Sequence, residues 1–380
     1  MKIDLVSGHN KNWDAGASTV FLHLDKMLHD MGHDTTLFHA ADFANRRLPA
    51  TISKHFDAFS VRNRFRTHAS QADVVEVAGN LGWVLFKDIR KRSDVKSPLL
   101  VTRIHGLEFK DQQARITEEI AQLMKLPFKY RAFTRHWINW QEFESIKQAD
   151  LVLCYTSRDT DAIVTAGLKP EHQVAFVPAG VDERFFGHHT IAPHGNCILW
   201  WGSWIDRKGI FSLPRTMELA IREMPDLHLT LGGTGKLPEE LLPLFPESVR
   251  SRVTVLPFVS REEQIEHLQK SDIFLFPSLS EGYGLALLEA MAAGLPCITT
   301  YTGIAYDRLE HDLNAIIVPM SAPTALAKAV VALARDSQRR ESISLNGQKT
   351  ARDLTWGQFA GQTVELYESH LKQKRSASLQ

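Results

Sequence analysis

Short apolar runs alternate with longer amphipathic stretches along the whole chain. Runs of a few residues rich in valine, isoleucine, leucine and phenylalanine predict buried parallel strands, and the stretches between them predict helices. Six runs precede residue 182 and six follow it, at 3–6, 35–38, 74–77, 99–103, 151–155, 174–177, 197–201, 227–231, 253–255, 273–276, 297–299 and 315–318. The pattern predicts an α/β protein with two doubly wound parallel sheets, whose ligands bind beyond the carboxyl ends of the strands.

The length of the chain also favours two domains, because 380 residues exceed what one hydrophobic core usually supports. A segment rich in glycine, histidine and proline, without helical or strand period, marks a linker at residues 183–196. We therefore predict a first domain over residues 1–182 and a second over 197–357. An amphipathic helix is expected over 358–371, followed by a polar tail, 372–380, that should fray.

Composition excludes several classes of protein. Lysine plus arginine equals aspartate plus glutamate at 44 each, so the balance of charge favours neither nucleic acid nor strong electrostatic capture by a membrane. The three cysteines, Cys154, Cys197 and Cys297, show no metal-ligand spacing and indicate a reducing compartment. No signal peptide and no membrane-spanning run is evident. We expect a cytoplasmic protein, with peripheral attachment to the inner face of the membrane as the alternative.

The most informative segment is residues 276–299, FPSLSEGYGLALLEAMAAGLPCIT, which predicts a strand, a glycine turn and a helix. In the turn, Gly282 and Gly284 flank Tyr283 and let the backbone approach a ligand. Free N–H groups where the helix starts at Leu285 attract anions. Such a turn predicts a site for a phosphorylated ligand.

Two acids frame this turn, Glu281 before it and Glu289 within the helix. They lie about 12 Å of helix rise apart or less, at about 1.5 Å per residue. One acid can therefore meet a sugar while the other meets the ribose of a nucleotide.

The frame P-S-x-x-E-G-x-G-L-x-x-L-E-A-M-A-x-G-x-P closely resembles the signature of the retaining GT-B glycosyltransferases of family 4. The resemblance implies two Rossmann-like domains facing across a deep cleft, with the last helix packing back on the first domain. It implies metal-independent transfer of a hexose from a nucleotide sugar to a saccharide or lipid-linked acceptor, without a cofactor. UDP-sugar is the favoured donor and GDP-mannose the second. The pathway implied is assembly of bacterial surface polysaccharide, lipopolysaccharide or glycolipid.

The resemblance also assigns a phosphate cradle at residues 198–209, ILWWGSWIDRKG. Gly202 and Lys208 match the family pattern G-R-L followed by K-G, but Ser203 stands where the family has an arginine. A hydroxyl supplies only an uncharged hydrogen bond, so one phosphate cation is missing unless Arg207 replaces it. The alternative for Lys208 is an ordinary surface lysine.

Further donor contacts follow from the order of the family motifs. Gly233 lies in a glycine cluster after a strand, and Phe258 with Val259 matches the loop that faces the nucleotide base. Phe258 fits a core position equally well. Glu281 is assigned to the donor sugar and Glu289 to the ribose hydroxyls, and neither is proposed as a nucleophile. Retention implies front-face attack, with a covalent intermediate on a carboxylate as the alternative.

In the first domain, Gly16 and Ala17 match a family turn that lies over the donor phosphates, although an ordinary strand-to-helix loop is the alternative. His105 follows a predicted strand and matches the active-site histidine that contacts the donor sugar; a lone histidine is otherwise usually structural. Arg103 and Glu108 are candidates for acceptor contact without a motif behind them. The predicted catalytic residues are thus His105, Lys208 and Glu281.

Residues 125–140 interleave basic and aromatic side chains. Such a segment can lie at a membrane interface or hold an anionic lipid-linked acceptor. The alternative, which we favour, is a helix whose aromatic side chains fill the core.

Two other functions remain open at this point. A nucleotide-sugar epimerase of the GT-B type would share the fold and the phosphate turn. A non-catalytic nucleotide-binding descendant is suggested by Ser203 and by residues 301–307, YTGIAYD, which depart from the family pattern G-G-x-x-E.

Overall fold

The computed structural model describes residues 1–9, 16–43, 57–67, 71–92, 97–120, 128, 133–187 and 195–377. The chain divides into two compact units. The first comprises Met1–Phe109, Pro127–Gly180 and Trp356–Gln380, and the second comprises Lys110–Leu126 and Val181–Thr355. The cut between them at residues 180 and 181 lies close to the predicted boundary.

The first unit is built on a six-stranded parallel sheet in the order β2-β1-β3-β4-β5-β6. Its strands are β1 (Lys2–Val6), β2 (Asp34–Phe38), β3 (Val74–Ala78), β4 (Leu99–Ile104), β5 (Leu151–Cys154) and β6 (Val174–Phe176). The described helices that begin in it are α1 (Gly16–Asp30), α2 (Ala40–Phe43), α3 (Asp57–Thr67), α4 (Gly82–Lys91), α5 (Glu108–Ile120), α6 (Arg135–Gln148) and α7 (Ser157–Thr165). Every residue of β3, β4 and β5 is buried, as expected for strands covered on both faces.

The second unit repeats this architecture with the strand order β12-β11-β10-β7-β8-β9. Its strands are β7 (Cys197–Trp201), β8 (His228–Gly232), β9 (Val253–Leu256), β10 (Ile273–Phe276), β11 (Cys297–Thr300) and β12 (Ile316–Val318). Its helices are α8 (Leu213–Glu223), α9 (Pro238–Leu241), α10 (Glu247–Arg250), α11 (Arg261–Lys270), α12 (Leu285–Ala292), α13 (Ala305–Arg308), α14 (Pro323–Arg335) and α15 (Ser337–Arg352). All twelve predicted strands are therefore present, and the α/β fold class is confirmed.

The last helix, α16 (Trp356–Ala377), belongs to the first unit, where it contacts α1 and β4. It continues six residues past the predicted end at residue 371, so the expected frayed tail is wrong for residues 372–377. Lys374 explains the difference, because its Nζ lies 2.7 Å from Asp150 Oδ2 and donates to the Pro98 carbonyl at 2.6 Å. These partners hold the last helical turns against the unit.

A buried ion pair also ties α16 to the sheet. The Arg103 guanidinium on β4 donates to Glu76 on β3 at 2.6 and 3.1 Å, and both side chains are fully buried. From α16, Thr363 Oγ1 lies 3.3 Å from Arg103 Nη2, and the Tyr367 hydroxyl donates to Glu76. The prediction that Arg103 contacts an acceptor is therefore not supported, because the whole side chain is enclosed.

Among the described residues, no helix is both long and apolar enough to cross a membrane.

We predict that Arg103→Met destabilises the first unit by about 3–5 kcal/mol, because Glu76 is left as a buried charge without a counter-ion. The double variant Arg103→Met/Glu76→Leu should recover a large part of this loss. Urea unfolding measures both, with Arg375→Met as the control because its partner Asp73 lies 3.3 Å away and the arginine side chain is exposed. Equal destabilisation of the single and double variants would contradict the buried-charge explanation.

Candidate functional site

The predicted donor residues of the second unit lie on loops at the carboxyl ends of its strands. Gly202 and Ser203 follow β7, Gly233 follows β8, Phe258 and Val259 follow β9, and the Glu281–Leu285 segment follows β10. Backbone hydrogen bonds connect the first three loops, since Gly202 N donates to Gly232 O at 3.0 Å and Gly233 N to Leu256 O at 2.9 Å. The parallel sheet thus brings residues as far apart in the sequence as Gly202 and Leu285 to one end of its strands.

Two cations meet one carboxylate at this edge. Lys208 Nζ lies 2.6 Å from Glu281 Oε1, and Arg207 Nη1 lies 3.0 Å from Glu281 Oε2. Ser278 Oγ donates to the same carboxylate at 2.7 Å. The side chain of Glu281 is only 4% exposed and that of Lys208 only 12%, so Lys208 is not the ordinary surface lysine of the alternative interpretation.

The charge state of Glu281 follows from these contacts. Burial alone would raise the pKa of Glu281, but Lys208 and Arg207 together hold that pKa below its ordinary value. The carboxylate is therefore ionised at neutral pH and pairs with both cations.

Close backbone packing fixes the turn that carries Arg207 and Lys208. Asp206–Lys208 forms one 3₁₀ turn that ends at Gly209, whose φ is +69°. A Cβ at Gly209 would lie 1.9 Å from the Pro277 carbonyl oxygen, so only glycine fits. Arg207 O accepts a 2.8 Å bond from Leu279 N, which fastens the turn to the segment after β10.

The glycine turn before α12 has the geometry predicted for anion binding. Gly284 is the N-cap residue with φ of +92°, and no side chain caps the helix. Its first N–H groups have no partner within the helix and are oriented with the positive end of the helix dipole. A phosphate or another anion fits this position.

Residues after β11 depart from the family pattern but keep one glycine that the turn requires. Gly303 has a φ of +54°, and a Cβ there would lie 2.3 Å from Tyr283 O. Ile304 N donates to that same carbonyl at 2.7 Å. The segment therefore supports the Tyr283 backbone despite its different sequence.

Glu289 is held by residues that the sequence analysis missed. Arg261 Nη2 lies 2.7 Å from Glu289 Oε1, and Gln264 Nε2 donates to Oε2 at 2.8 Å. The Arg261 guanidinium also lies 4.3 Å from the ring centroid of Phe185. The spacing of Arg261 and Gln264 by three residues on a helix was the available signal, but it does not identify a partner on another helix.

The remaining donor candidates are placed as follows. Phe258 is 80% exposed, so its alternative as a core residue is wrong. Val259 is half-buried and Ser203 is exposed. At Gly233 a Cβ would lie 3.2 Å from Trp201 Nε1, which explains the small residue there.

In the first unit, His105 lies directly after β4 with Tyr155 and Phe21 beside its ring. The Tyr155 hydroxyl is 3.4 Å from His105 Nδ1. Burial first, and then the neighbouring charges of His9 and Arg103, lower the pKa of His105 to about 3. The imidazole is therefore neutral at physiological pH and can only form uncharged hydrogen bonds.

Other first-domain predictions are placed only in part. Gly16 begins α1 and Ala17 follows it, whereas the preceding residues 10–15 lie outside the described part of the chain. Glu108 begins α5, where its N–H donates to Glu142 Oε2 at 3.1 Å. Its predicted acceptor contact stays a prediction.

Of the basic and aromatic segment at residues 125–140, residues 125–127 and 129–132 lie outside the described part of the chain. In its described part, the rings of Phe133 and Trp137 stack with centroids 6.5 Å apart, and those of Trp137 and Trp140 at 5.2 Å. Phe133 is 59% exposed and Trp140 42% exposed. These two rings do not fill a core, contrary to the interpretation that we favoured.

Comparison with known sequences finds a family match within the second unit. Residues 195–336 match the family described as Glycosyl transferases group 1. An uncharacterised glycosyltransferase of Methanocaldococcus jannaschii is 31% identical over 173 residues, which are 45% of this chain and 44% of that protein. A D-inositol 3-phosphate glycosyltransferase of Jonesia denitrificans is 25% identical over 248 residues, 60% of this chain and 58% of that protein. The chain thus spans about half the length of these two relatives.

A third relative matches over nearly its whole length. The MMP α-(1→4)-mannosyltransferase of Mycolicibacterium hassiacum is 23% identical over 411 residues, covering 97% of this chain and 98% of that protein.

Solved structures show the fold. Sucrose-phosphate synthase from Thermosynechococcus elongatus aligns with a TM-score of 0.78 at 18% identity, over 97% of this chain and 98% of that one. The Anabaena protein HepE, solved with UDP and glucose, aligns with a TM-score of 0.66 at 15% identity, over 97% and 100% of the two chains. The fold is GT-B, as the sequence resemblance implied.

We predict that Gly209→Ala destabilises the second unit far more than Gly235→Ala. Both glycines have similar φ values, +69° and +66°, but a Cβ at Gly235 has no atom within 4 Å. The left-handed backbone alone should cost about 1–2 kcal/mol at Gly235, and the clash with Pro277 adds to it at Gly209. Urea unfolding gives the two free energies, and equal losses would contradict the close packing.

We predict that His105 does not titrate in the folded protein between pH 8 and 5. Its folded pKa lies below that of the unfolded chain, so its contribution to stability is lost progressively as the pH falls from about 6.5 towards 3. NMR of the ¹⁵N- and ¹³C-labelled imidazole measures this directly. A midpoint near 6.5 for His105 would show that its ring is solvated.

Proposed function

We propose that the protein is a glycosyltransferase that moves a hexose from a nucleotide sugar to a saccharide or glycolipid acceptor. The observation that carries this proposal is the meeting of Lys208 and Arg207 at Glu281. This cluster follows β10 in the same segment that leads to the uncapped N-terminus of α12. Cations and free N–H groups together suit a diphosphate.

Arg207 is proposed to supply the cation that Ser203 lacks. Its guanidinium shares the Glu281 carboxylate with Lys208, so two positive charges point to the same place. A diphosphate can replace Glu281 as their partner or bind beside it. The cradle then has two phosphate-binding cations, as in the family, with Arg207 in place of the arginine that is missing at position 203.

The chemistry proposed for these groups is stabilisation of a leaving diphosphate. Negative charge develops on the phosphate oxygen as the glycosidic bond breaks, and fixed cations and N–H donors lower the energy of that state. Lys208, Arg207 and the N-terminus of α12 can do this without a metal ion, so we propose a metal-independent reaction. Retention of the anomeric configuration is proposed from the sequence resemblance to family 4.

Contacts to the rest of the donor are proposed for the neighbouring loops. Glu289 accepts hydrogen bonds from the ribose hydroxyls, Glu281 from the donor sugar, and the exposed ring of Phe258 lies against the base with Val259. Gly233 gives the backbone room beside the nucleotide. In the first unit, His105, Gly16 and Ala17 remain assigned from their sequence match.

UDP-sugar is the first proposed donor and GDP-mannose the second. The structural neighbour HepE was solved with UDP, which supports the first, and the M. hassiacum relative is a mannosyltransferase, which supports a mannose donor. We propose a saccharide or lipid-linked acceptor in surface polysaccharide, lipopolysaccharide or glycolipid assembly. The proposed location is cytoplasmic, and the exposed Phe133 and Trp140 favour peripheral contact with the inner face of the membrane.

We predict selective binding of one nucleotide among UDP, GDP and ADP in calorimetric titrations without metal, unchanged by a chelator. Arg207→Met and Lys208→Met should each weaken it about tenfold to a hundredfold, since each removes a charged hydrogen bond. Lys270→Met is the control, because that lysine is exposed and pairs with Glu266 on its own helix. Adding Ser203→Arg to Arg207→Met should restore affinity.

Outcomes of the same experiment separate the alternatives. Unchanged affinity of Arg207→Met would overturn its role as the second phosphate cation. Binding of a nucleotide sugar followed by release of an isomerised one without any acceptor would favour the epimerase. Nucleotide binding without transfer or isomerisation would favour the non-catalytic nucleotide-binding descendant, and no binding of any nucleotide would overturn the proposed donor site.

A further inference from the structure

Arg261, Gln264 and Glu289 form a closed ring of hydrogen bonds within the second unit. Arg261 Nη2 bonds Glu289 Oε1 at 2.7 Å, Gln264 Nε2 bonds Glu289 Oε2 at 2.8 Å, and Arg261 Nη1 bonds Gln264 Oε1 at 3.1 Å. Each member therefore contacts both of the others. We call these three residues the Glu289 triad.

The triad is largely enclosed. The side chains of Arg261 and Glu289 are 15% and 8% exposed, and Gln264 is buried. Phe185, itself buried, supports the flat face of the guanidinium at 4.3 Å. An enclosed charge-assisted pair keeps one geometry far better than an exposed one.

Counting acceptor positions shows what the triad leaves available. An ionised carboxylate has about four lone-pair positions, and Arg261 and Gln264 each take one. About two positions remain, one on each oxygen. Two neighbouring acceptors on a fixed carboxylate match two neighbouring hydroxyl donors, which is the chemistry of a ribose diol.

From this count we propose that Arg261 and Gln264 are positioning residues that set the orientation of Glu289 for the 2′- and 3′-hydroxyls of the nucleotide. The inference rests on the proposed function, in which Glu289 meets the ribose. Only arginine has the shape required at position 261, because one planar guanidinium bonds Glu289, bonds Gln264 and stacks on Phe185. Neither residue is proposed to touch the nucleotide.

The start of α11 also connects the triad to the loop that is proposed to face the base. Arg261 is the first residue of that helix, directly after the loop with Phe258 and Val259. Ser260 caps the helix by accepting from Glu263 N at 3.2 Å, while Ser260 N donates to Glu263 Oε2 at 2.8 Å. One rigid helix start thus joins the proposed base loop to the proposed ribose acid.

The test is calorimetry of the full chain with UDP, 2′-deoxy-UDP and 3′-deoxy-UDP, or with the corresponding guanine nucleotides if GDP binds better. The parent should bind each deoxy analogue about tenfold more weakly than the ribonucleotide, since one hydrogen bond to a carboxylate is lost. Arg261→Met should weaken UDP more than either deoxy analogue, because UDP loses two hydroxyl contacts to Glu289 and each analogue loses only the one that it retains. The ratio of the affinity for UDP to that for each analogue therefore falls from about ten towards one. Gln264→Leu should act in the same direction.

Lys270→Met on the same helix is the matched control and should keep the parent ratio. Glu289→Ala should bring the ratio of the affinities for UDP and its deoxy analogues to about one, and adding Arg261→Met to it should cause no further change. If Arg261→Met does not fold, Arg261→Lys replaces it and should give an intermediate ratio.

A preserved ratio of the affinities for UDP and its deoxy analogues in the Arg261 variants would overturn the inference, whether or not all three affinities fall together. The parent protein alone tests the proposed function, because failure to bind any ribonucleotide would remove both proposals together. Ribonucleotide binding with an unchanged ratio in the variants would remove only the positioning role.

Discussion

The second unit depends on one buried carboxylate. Glu281 is almost completely enclosed, and it stays ionised because Lys208 and Arg207 compensate it from the turn after β7. A buried charge without partners is costly, so each of these three side chains requires the others. The arrangement concentrates two cations where the strand order places the end of β10 beside that of β7. Phosphate chemistry is proposed at this place for that reason.

The helix α12 carries the rest of the site. Its N-terminus follows the glycine turn, and Glu289 in its second turn is fixed by Arg261 and Gln264 from α11. Both acids of the signature are thus held by side chains from elements elsewhere in the sequence. A ligand that meets them meets groups whose positions are already set, which reduces the entropy lost on binding.

In the first unit, a buried ion pair connects two strands and the C-terminal helix. Arg103 and Glu76 join neighbouring strands, and Thr363 and Tyr367 of α16 add further hydrogen bonds to them. The C-terminal helix therefore bonds polar groups on β3 and β4, which lie more than 250 residues earlier in the sequence. Because every polar partner is enclosed, this cluster fixes one position for the helix and leaves Arg103 no reach to a substrate.

The sequence by itself determined the twelve strands, the two-sheet architecture and the turn that contains Glu281 and Glu289. These features are local, since a strand, a glycine turn and a helix start are each encoded by a few adjacent residues. Tertiary structure decided which charges meet. Nothing adjacent to Glu289 in the sequence indicates Arg261, nothing adjacent to Arg103 indicates Tyr367, and only the fold turned Arg207 towards Glu281 rather than to solvent. A side chain's partners depend on which elements the sheet order makes neighbours, and hydrophobic periodicity does not encode that order.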